Sequence, residues 1–325
     1  MTLTQAATLT KRTIIAFLIL GILGIAGAVG LNFYRQYQAL HAPPPPEVHW
    51  EEWGQLPLPV FPPSTVTSSN FSYSLDTTTG SLPQTPQDIP KSLRVYFIAQ
   101  TGINLRAPDK ARELAENFGF PEGPKILSEE TREFGDKKGG TLTINLITGN
   151  FNFEKIATPA AELKNIPDKS TLVEALKKYL AEKNLLPEAL LNGEGKTSTD
   201  NPMQVSLFPA DIDRLSVVTP SETEGLVHAL YSRKDETFSK LTYTFWTVDQ
   251  TSFATYPLKT AEEAYSDLVS GKGYISIIPD KPAVSISMVY LAYFEPEDYA
   301  SYLQPVFIFE GPNFKALVPA VKSAR

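Results

Sequence analysis

The chain has 325 residues, no cysteine, and 36 acidic against 29 basic side chains, a net charge of −7. The lack of cysteine excludes disulfide frameworks, cysteine nucleophiles and thiolate metal sites. An acidic balance without a basic stripe excludes the electrostatics of a nucleic-acid binder, and an aromatic content of 11% can build a core from burial alone.

The first element is an uncharged apolar run, Ile14–Leu31, preceded by Lys11-Arg12. Its eighteen residues, at about 1.5 Å each, cover most of a bilayer core of about 30 Å. Thr13 and Phe33-Tyr34 extend the span into the interfaces. The basic pair keeps residues 1–12 in the cytoplasm and sends everything after Tyr34 outward, so residues 13–34 read as a plasma-membrane anchor. The competing reading is a secretory signal cut after Ala28, because Ala26-Gly27-Ala28 has small-x-small spacing. The run continues past that point and exceeds the usual length of such a segment, which favours the anchor. Gly24/Ala28 and Ala26/Gly30 are small pairs four apart, a spacing that lets membrane helices approach closely. These four are the candidate helix-contact residues, set against the plain frequency of glycine in membrane helices.

Residues 35–63 read as a proline-rich stalk. Pro43–Pro46 favours an extended polyproline segment of about 3.1 Å per residue, a semi-rigid spacer. Trp50, Trp53 and Leu56 suit either the membrane interface or the domain, and Pro57–Pro63 is apolar enough to lie along the domain surface.

Phe71, Tyr73 and Leu75 alternate with serines as a half-buried strand that Asp76–Gly80 closes. Leu93–Ala99 is a second strand. Pro108–Phe118 reads as a helix with Ala111, Leu114, Ala115 and Phe118 on one face and Gly119 past its end. Strands follow at Lys125–Phe134 and Thr141–Ile147 across a turn at Asp136–Gly140, and Thr148-Gly149-Asn150 leads to Phe151 and Phe153. A helix capped by Ser170 runs to Lys183 on Leu172, Leu176, Tyr179 and Leu180. Further strands are expected at Val205–Phe208, Leu226–Ser232 and Leu241–Val248, the last two as a hairpin across Arg233–Thr237. Thr260–Leu268 carries capping-box chemistry, with Thr260 as cap and Glu262 and Glu263 in the first turn. Val284–Phe294, Val306–Phe309 and Phe314–Val318 complete the strands. Helices alternating with antiparallel strands imply an α+β fold, with sheets covered by a few helices in two related units, 64–163 and 164–325.

The motifs that echo known chemistry are incomplete. Gly193-Glu194-Gly195-Lys196-Thr197 resembles a phosphate-cradling loop, yet Leu190 stands where that loop needs glycine, and Asp200-Asn201-Pro202 blocks the helix that must follow. Asp211-Ile212-Asp213 suits a divalent metal on a nucleotide-sugar diphosphate, but no nucleotide-binding βαβ unit precedes it, so a turn is the plainer reading. His41 and His49, near Glu51 and Glu52, lie in the stalk without a rigid scaffold. His228 shares a strand face with Leu226 and Leu230 and reads as a satisfied strand histidine. There is no G-x-S-x-G elbow and no H-E-x-x-H pair. Asn70-Phe71-Ser72 is a glycosylation sequon, meaningful only in a eukaryotic secretory pathway. No catalytic residue, cofactor site or metal site is expected.

In the C-terminal third, TAEEAYSDLVSGKGYI (Thr260–Ile275), AVSISMVYLAYF (Ala283–Phe294), YLQPVFIFEG (Tyr302–Gly311) and FKALVPAV (Phe314–Val321) follow in order. With ARELAENFGF and LTINLITGNFNF upstream, this cadence resembles the ectodomains of YycH/YycI-type regulators of cell-wall sensor kinases and the PepSY-like units they contain. The resemblance covers about Arg94 to Val321 and implies a non-enzymatic exported domain that modulates a membrane partner; the tetraproline stalk departs from it. Tyr293, Phe294, Tyr299 and Tyr302 are candidate partner-surface residues, against the expectation that most strand aromatics are core. The chain therefore reads as a single-pass membrane protein whose extracytoplasmic domain binds or regulates an envelope protein. The alternative is a membrane-tethered glycan- or cell-wall-active enzyme with paired carboxylates.

Overall fold

Period-two apolar patterning recurs so often along this chain that strands dominate the structure. The computed structural model describes residues 53–83, 89–98, 105–156, 168–198, 203–232 and 235–322. The Ile14–Leu31 run, with Gly24, Ala26, Ala28 and Gly30, lies outside the described residues, as do Pro43–Pro46, His41 and His49. Among the described residues no helix is long and apolar enough to cross a membrane.

In chain order the strands are β1 (Ser72–Leu75), β2 (Ser92–Ile98), β3 (Lys125–Ile126), β4 (Thr131–Gly135), β5 (Thr141–Asn145) and β6 (Phe151–Glu154). Then come β7 (Gly195–Thr197), β8 (Met203–Leu207), β9 (Val217–Val218), β10 (Val227–Ser232), β11 (Thr237–Tyr243) and β12 (Val248–Pro257). The last are β13 (Tyr274–Ile277), β14 (Ala283–Ile286), β15 (Met288–Phe294), β16 (Tyr302–Gly311) and β17 (Phe314–Pro319). One antiparallel sheet has the order β3-β4-β5-β6-β11-β10-β8-β7. A second runs β12-β2-β16-β15-β9, with β17 also on β16 and β13 on β17. β1 and β14 pair in parallel. The fold is α+β, with mostly antiparallel sheets and few helices.

The helices Ala107–Asn117 and Lys169–Glu182 cover the first sheet. Ala111, Ala115 and Phe118 share a buried cluster with Leu172, Leu176 and Leu180 and with the sheet residues Phe134, Phe151, Phe153 and Val205. Ser170 does not cap: Asp168 occupies the N-cap position and accepts from the Ser170 hydroxyl. Against the second sheet packs the Ala261–Val269 helix, where the Thr260 hydroxyl accepts the Glu263 N–H and Glu263 returns the bond to the Thr260 N–H. Strand β6, before the expected boundary between residues 163 and 164, pairs with β11, after it. Strands from both sides of that expected boundary therefore share one sheet, and Val48–Arg325 forms one compact unit.

Four strand expectations differ from the structure. The run Lys125–Phe134 is two strands, β3 and β4, paired antiparallel across residues 127–130. The run Val284–Phe294 is two strands, β14 beside β1 and β15 beside β16, because the Ser287 N–H turns to the Glu310 carbonyl between them. The second arm of the expected hairpin starts earlier and stops at Tyr243, since the Thr244 N–H and hydroxyl both close onto the Leu226 carbonyl. Strand β16 runs through Pro305. The missing N–H is tolerated there because β16 changes neighbour at that point, from β2 at Tyr302 and Leu303 to β17 from Val306 onward.

The two sheets meet at a junction, and the chain passes between them four times. It passes from the first sheet to the second between β8 and β9 and again between β11 and β12. Both crossings border the same junction, and buried residues of both sheets, such as Val205, Val217 and Tyr293, share one cluster there. On the opposite face of β2, the segment from Trp53 to Phe61 lies along the second sheet as a strap. Trp53 packs on Phe97 and Tyr302, the Pro57 carbonyl accepts from Gln304 Nε2 at 2.9 Å, and Phe61 stacks on Tyr274 at 5.3 Å. The stretch 53–63, read as the stalk's end, is thus laid on the domain.

Candidate functional site

The junction between the sheets holds a cleft with two chambers. The larger, about 700 Å³, lies between β7 and the loops around β9 on one side and β13, β15 and β17 on the other. The smaller, about 350 Å³, lies between the short helix Glu188–Leu191, the β8–β9 crossing and the start of β12. Asn192, Pro209, Ala210, Asp211 and Val217 line both, so the wall between the chambers is the β8–β9 crossing itself.

Charge in the larger chamber is matched. Lys315, between the buried residues Phe314 and Ala316 on β17, points its ammonium at Glu222 and, at 3.3 Å, at Glu310. The Tyr290 hydroxyl donates to Glu310 Oε2 at 2.7 Å. Burial alone lowers the Lys315 pKa, but the bond to Glu222, with Tyr290 and Glu310 nearby, outweighs it and the net shift is upward. Burial first, then the Glu310 hydrogen bond, pushes Tyr290 up to about 12. Lys196 rests over the Phe208 ring, 4.6 Å from its centroid.

In the smaller chamber charge is not matched. Glu295 follows β15, is 1% exposed, and anchors its backbone N–H on the Val218 carbonyl at 2.9 Å. Its carboxylate accepts the Trp246 backbone N–H, while Oε1 has no hydrogen-bond partner. Burial raises its pKa to about 8 against the pull of that one bond. Glu188 and Asp211 line the same chamber, and among the described residues no lysine or arginine does.

The wall between the chambers is held in an uncommon conformation. Ile212 and Leu215 exchange backbone bonds of 3.0 and 2.9 Å across Asp213 and Arg214, both left-handed with φ of 51° and 64°. Two successive positive φ values make the tightest hairpin turn, one that aspartate tolerates better than most residues. Asp213 fixes this turn to β2 and β15. It accepts from the Tyr96 hydroxyl at 2.6 Å and the Tyr293 hydroxyl at 3.4 Å, and pairs with Arg94 at 3.2 Å. Burial, reinforced by Asp213, pushes Tyr96 up to about 12.

The residues singled out in the sequence take varied places. Tyr293 and Phe294 are core residues at 0% and 1% exposure rather than a partner surface. Tyr299 is half-buried with its hydroxyl on the Ile98 carbonyl at 2.7 Å, and Tyr302 packs under Trp53. Asp211 and Asp213 part company: one faces the chambers and the other ties the turn to β2. The glycines of Gly193-Glu194-Gly195 answer to packing, since a Cβ would stand 1.9 Å from the Phe208 carbonyl at Gly193 and 2.3 Å from Val173 at Gly195. Residues 195–197 form edge strand β7 rather than a phosphate loop. The His228 ring bonds the Gly225 carbonyl at 2.9 Å. Among the described residues, no group of three or more potential metal ligands converges. Sequence reasoning missed Glu295 and Lys315. A signal exists for both: each is a lone charge against an otherwise apolar strand, in MVYLAYF-E and F-K-ALVP.

No family model matches the chain, and no curated protein matches it. Among solved structures, the crystal structure of an uncharacterized protein from Eubacterium rectale ATCC 33656 at 1.45 Å resolution aligns with a TM-score of 0.39 and 11% identity. The alignment covers 72% of this chain and 86% of that one.

Proposed function

We propose that this is a single-pass membrane protein of the bacterial envelope whose extracytoplasmic domain binds or regulates a protein partner rather than turning over a substrate. The observation that carries the reading is the two-chambered cleft at the sheet junction, where charged and polar side chains converge in a concave site. Residues 13–34 supply the anchor, with the N-terminus in the cytoplasm, and the pair Gly24/Ala28, or on the other side of the helix Ala26/Gly30, supplies a face for a neighbouring helix. The resemblance of about Arg94 to Val321 to YycH/YycI-type regulators and the PepSY-like units they contain supports a sensor kinase or cell-wall machinery as partner. The test uses the full chain in its native membrane with a photo-cross-linking residue at Ser276, in the larger chamber. The same residue at Ile126, on β3 at the far edge of the first sheet, is the control. A discrete envelope protein captured from Ser276 and not from Ile126 is expected; identical products from both, or none from Ser276, would overturn the reading.

One observation favours a second reading, a tethered glycan- or cell-wall-active enzyme. Asp211 and Glu295 line one chamber, and the raised pKa of Glu295 suits a general acid. Soluble fragments released from purified cell wall by the wild type but not by Glu295→Gln would support it, and equal release from both would reject it.

A further inference from the structure

Glu295 is the one acid of the cleft whose burial is left without compensation. A buried carboxylate needs a cation or several donors, and an unpaired buried acceptor costs about 1–3 kcal/mol or more when charged. The neighbouring chamber shows the usual remedy, since Glu222 and Glu310 share Lys315 and Tyr290. Around Glu295 the protein supplies a single backbone N–H and leaves Oε1 unpartnered, and the remaining charged side chains lining the chamber are two more acids, Glu188 and Asp211. A site with three acids, a buried orphan oxygen and about 350 Å³ of space lacks a positive charge.

We infer that the smaller chamber is a receptor for an alkylammonium group, whose –NH3+ would sit between Glu295 and Asp211 with its carbon stem along Phe245, Val217 and Val248. The inference deepens the reading of the cleft as a binding site and rests on it. An ammonium carries three donors, and Glu295, Asp211, Thr247 and Gln250, all among the residues lining the chamber, each carry a side-chain oxygen acceptor. The apolar wall suits methylenes, and the volume falls in the range of small-ligand pockets. The group comes either from a free amine or from a lysine side chain of the partner; the chemistry is the same.

Proton bookkeeping gives a distinctive readout. The groups facing Glu295 are Glu188, Asp211 and Tyr243; the Tyr243 pKa is raised to about 12 by burial and then by Glu295. With Glu295 near 8, the empty chamber at pH 7 holds it mostly protonated, and an arriving ammonium ionises it and releases its proton to solvent.

The test titrates n-pentylammonium into the full chain in neutral-lipid nanodiscs by calorimetry, in two buffers of different ionisation enthalpy, with n-pentanol as uncharged isostere. Expected are saturable binding, release of close to one proton per site at pH 7 and almost none at pH 9.5, and no saturable binding of pentanol. Glu295→Gln should lose at least about tenfold in affinity together with the proton release, and Asp211→Asn should weaken binding. A pentapeptide with a central lysine distinguishes the sources, and binding by either probe sustains the inference. Absent binding of both probes, equal binding of pentanol, or undiminished binding by Glu295→Gln overturns it. Should Glu295→Gln fail to fold, proton release by the wild type and the Asp211→Asn response decide. Lost amine binding with retained cross-linking from Ser276 sinks this inference alone; the reverse result sinks the partner reading alone.

Discussion

Replacing Asp213 separates two things this residue does, holding a left-handed turn and anchoring it to β2. In Asp213→Ala the Tyr96 hydroxyl loses a charge-assisted bond of 2.6 Å, about 1.5–3 kcal/mol. Tyr293 loses little, because its hydroxyl keeps the Arg94 carbonyl at 2.9 Å. Arg94 is 40% exposed, so its pairing adds under about 1 kcal/mol. Alanine at φ 51° adds about 1 kcal/mol of backbone strain that aspartate partly offsets. The total is about 3–4 kcal/mol. Asp213→Gly removes the strain and keeps only the side-chain loss, about 2–3 kcal/mol, and Asp213→Asn keeps an acceptor and the turn, about 1 kcal/mol. Urea unfolding of the full chain measures the series, and amide exchange over 208–218 should quicken in the same order. Asparagine as costly as alanine, or alanine costing less than about 0.5 kcal/mol, would refute the assignment of Asp213 as anchor.

Three further outcomes can be measured on the same material. Because folding raises the Glu295 pKa from 4.5 to about 8, the folded state holds that proton more tightly and wild-type stability should fall as pH rises through this window. The drop is on the order of 4 kcal/mol by linkage, and Glu295→Gln should flatten it; parallel pH profiles would refute the burial account. Lys315→Met strands Glu222 and Glu310 beside an ammonium site only 14% exposed and should cost about 2–3 kcal/mol at pH 7, with Lys315→Met/Glu222→Gln recovering part of it. Phe61→Ala removes the ring stacked on Tyr274 and tilted against Phe294, and should cost about 2 kcal/mol and open residues 53–63 to protease before the rest of the domain unfolds.

How legible each part of the fold is in the sequence depends on the range of the interactions that specify it. The Thr260-x-x-Glu263 box and the Ala111/Ala115/Phe118 face are closed within a few residues, so local chemistry specifies them and both stand in the structure. Strand β12 is hidden in the sequence because a register irregularity lies between Val248 and Phe253, where Asp249 Oδ1 bonds the Thr251 N–H and hydroxyl at 2.9 and 2.6 Å. A strand interrupted in this way carries the composition of a turn. The cleft is less legible still. Lys315 meets Glu222 from 93 residues away, and the Asp211 chamber exists only because two sheet crossings meet. No local pattern encodes which lone strand charge finds a partner and which, like Glu295, does not.

The strap and the cleft wall bear on one strand from opposite sides, and this makes their coupling testable. Along β2 successive side chains alternate faces: Arg94 and Tyr96 reach the Asp213 turn, while Val95 and Phe97 meet Trp53. β2 is interior to its sheet, between β12 and β16, so a shift on one face displaces backbone bonds that also set the other. Contiguity alone does not establish coupling, which requires the two contacts to respond together. A double-mutant cycle of Asp213→Ala with Trp53→Ala supplies the measure: we expect a coupling energy of about 0.5–1.5 kcal/mol, the range for sites that share a partner. Amide exchange at 53–63 should quicken in Asp213→Ala, although Asp213 touches none of these residues. Strict additivity, with strap exchange unchanged, would show β2 to be a rigid wall. The segment leading from residues 13–34 into the domain would then be insensitive to what occupies the cleft.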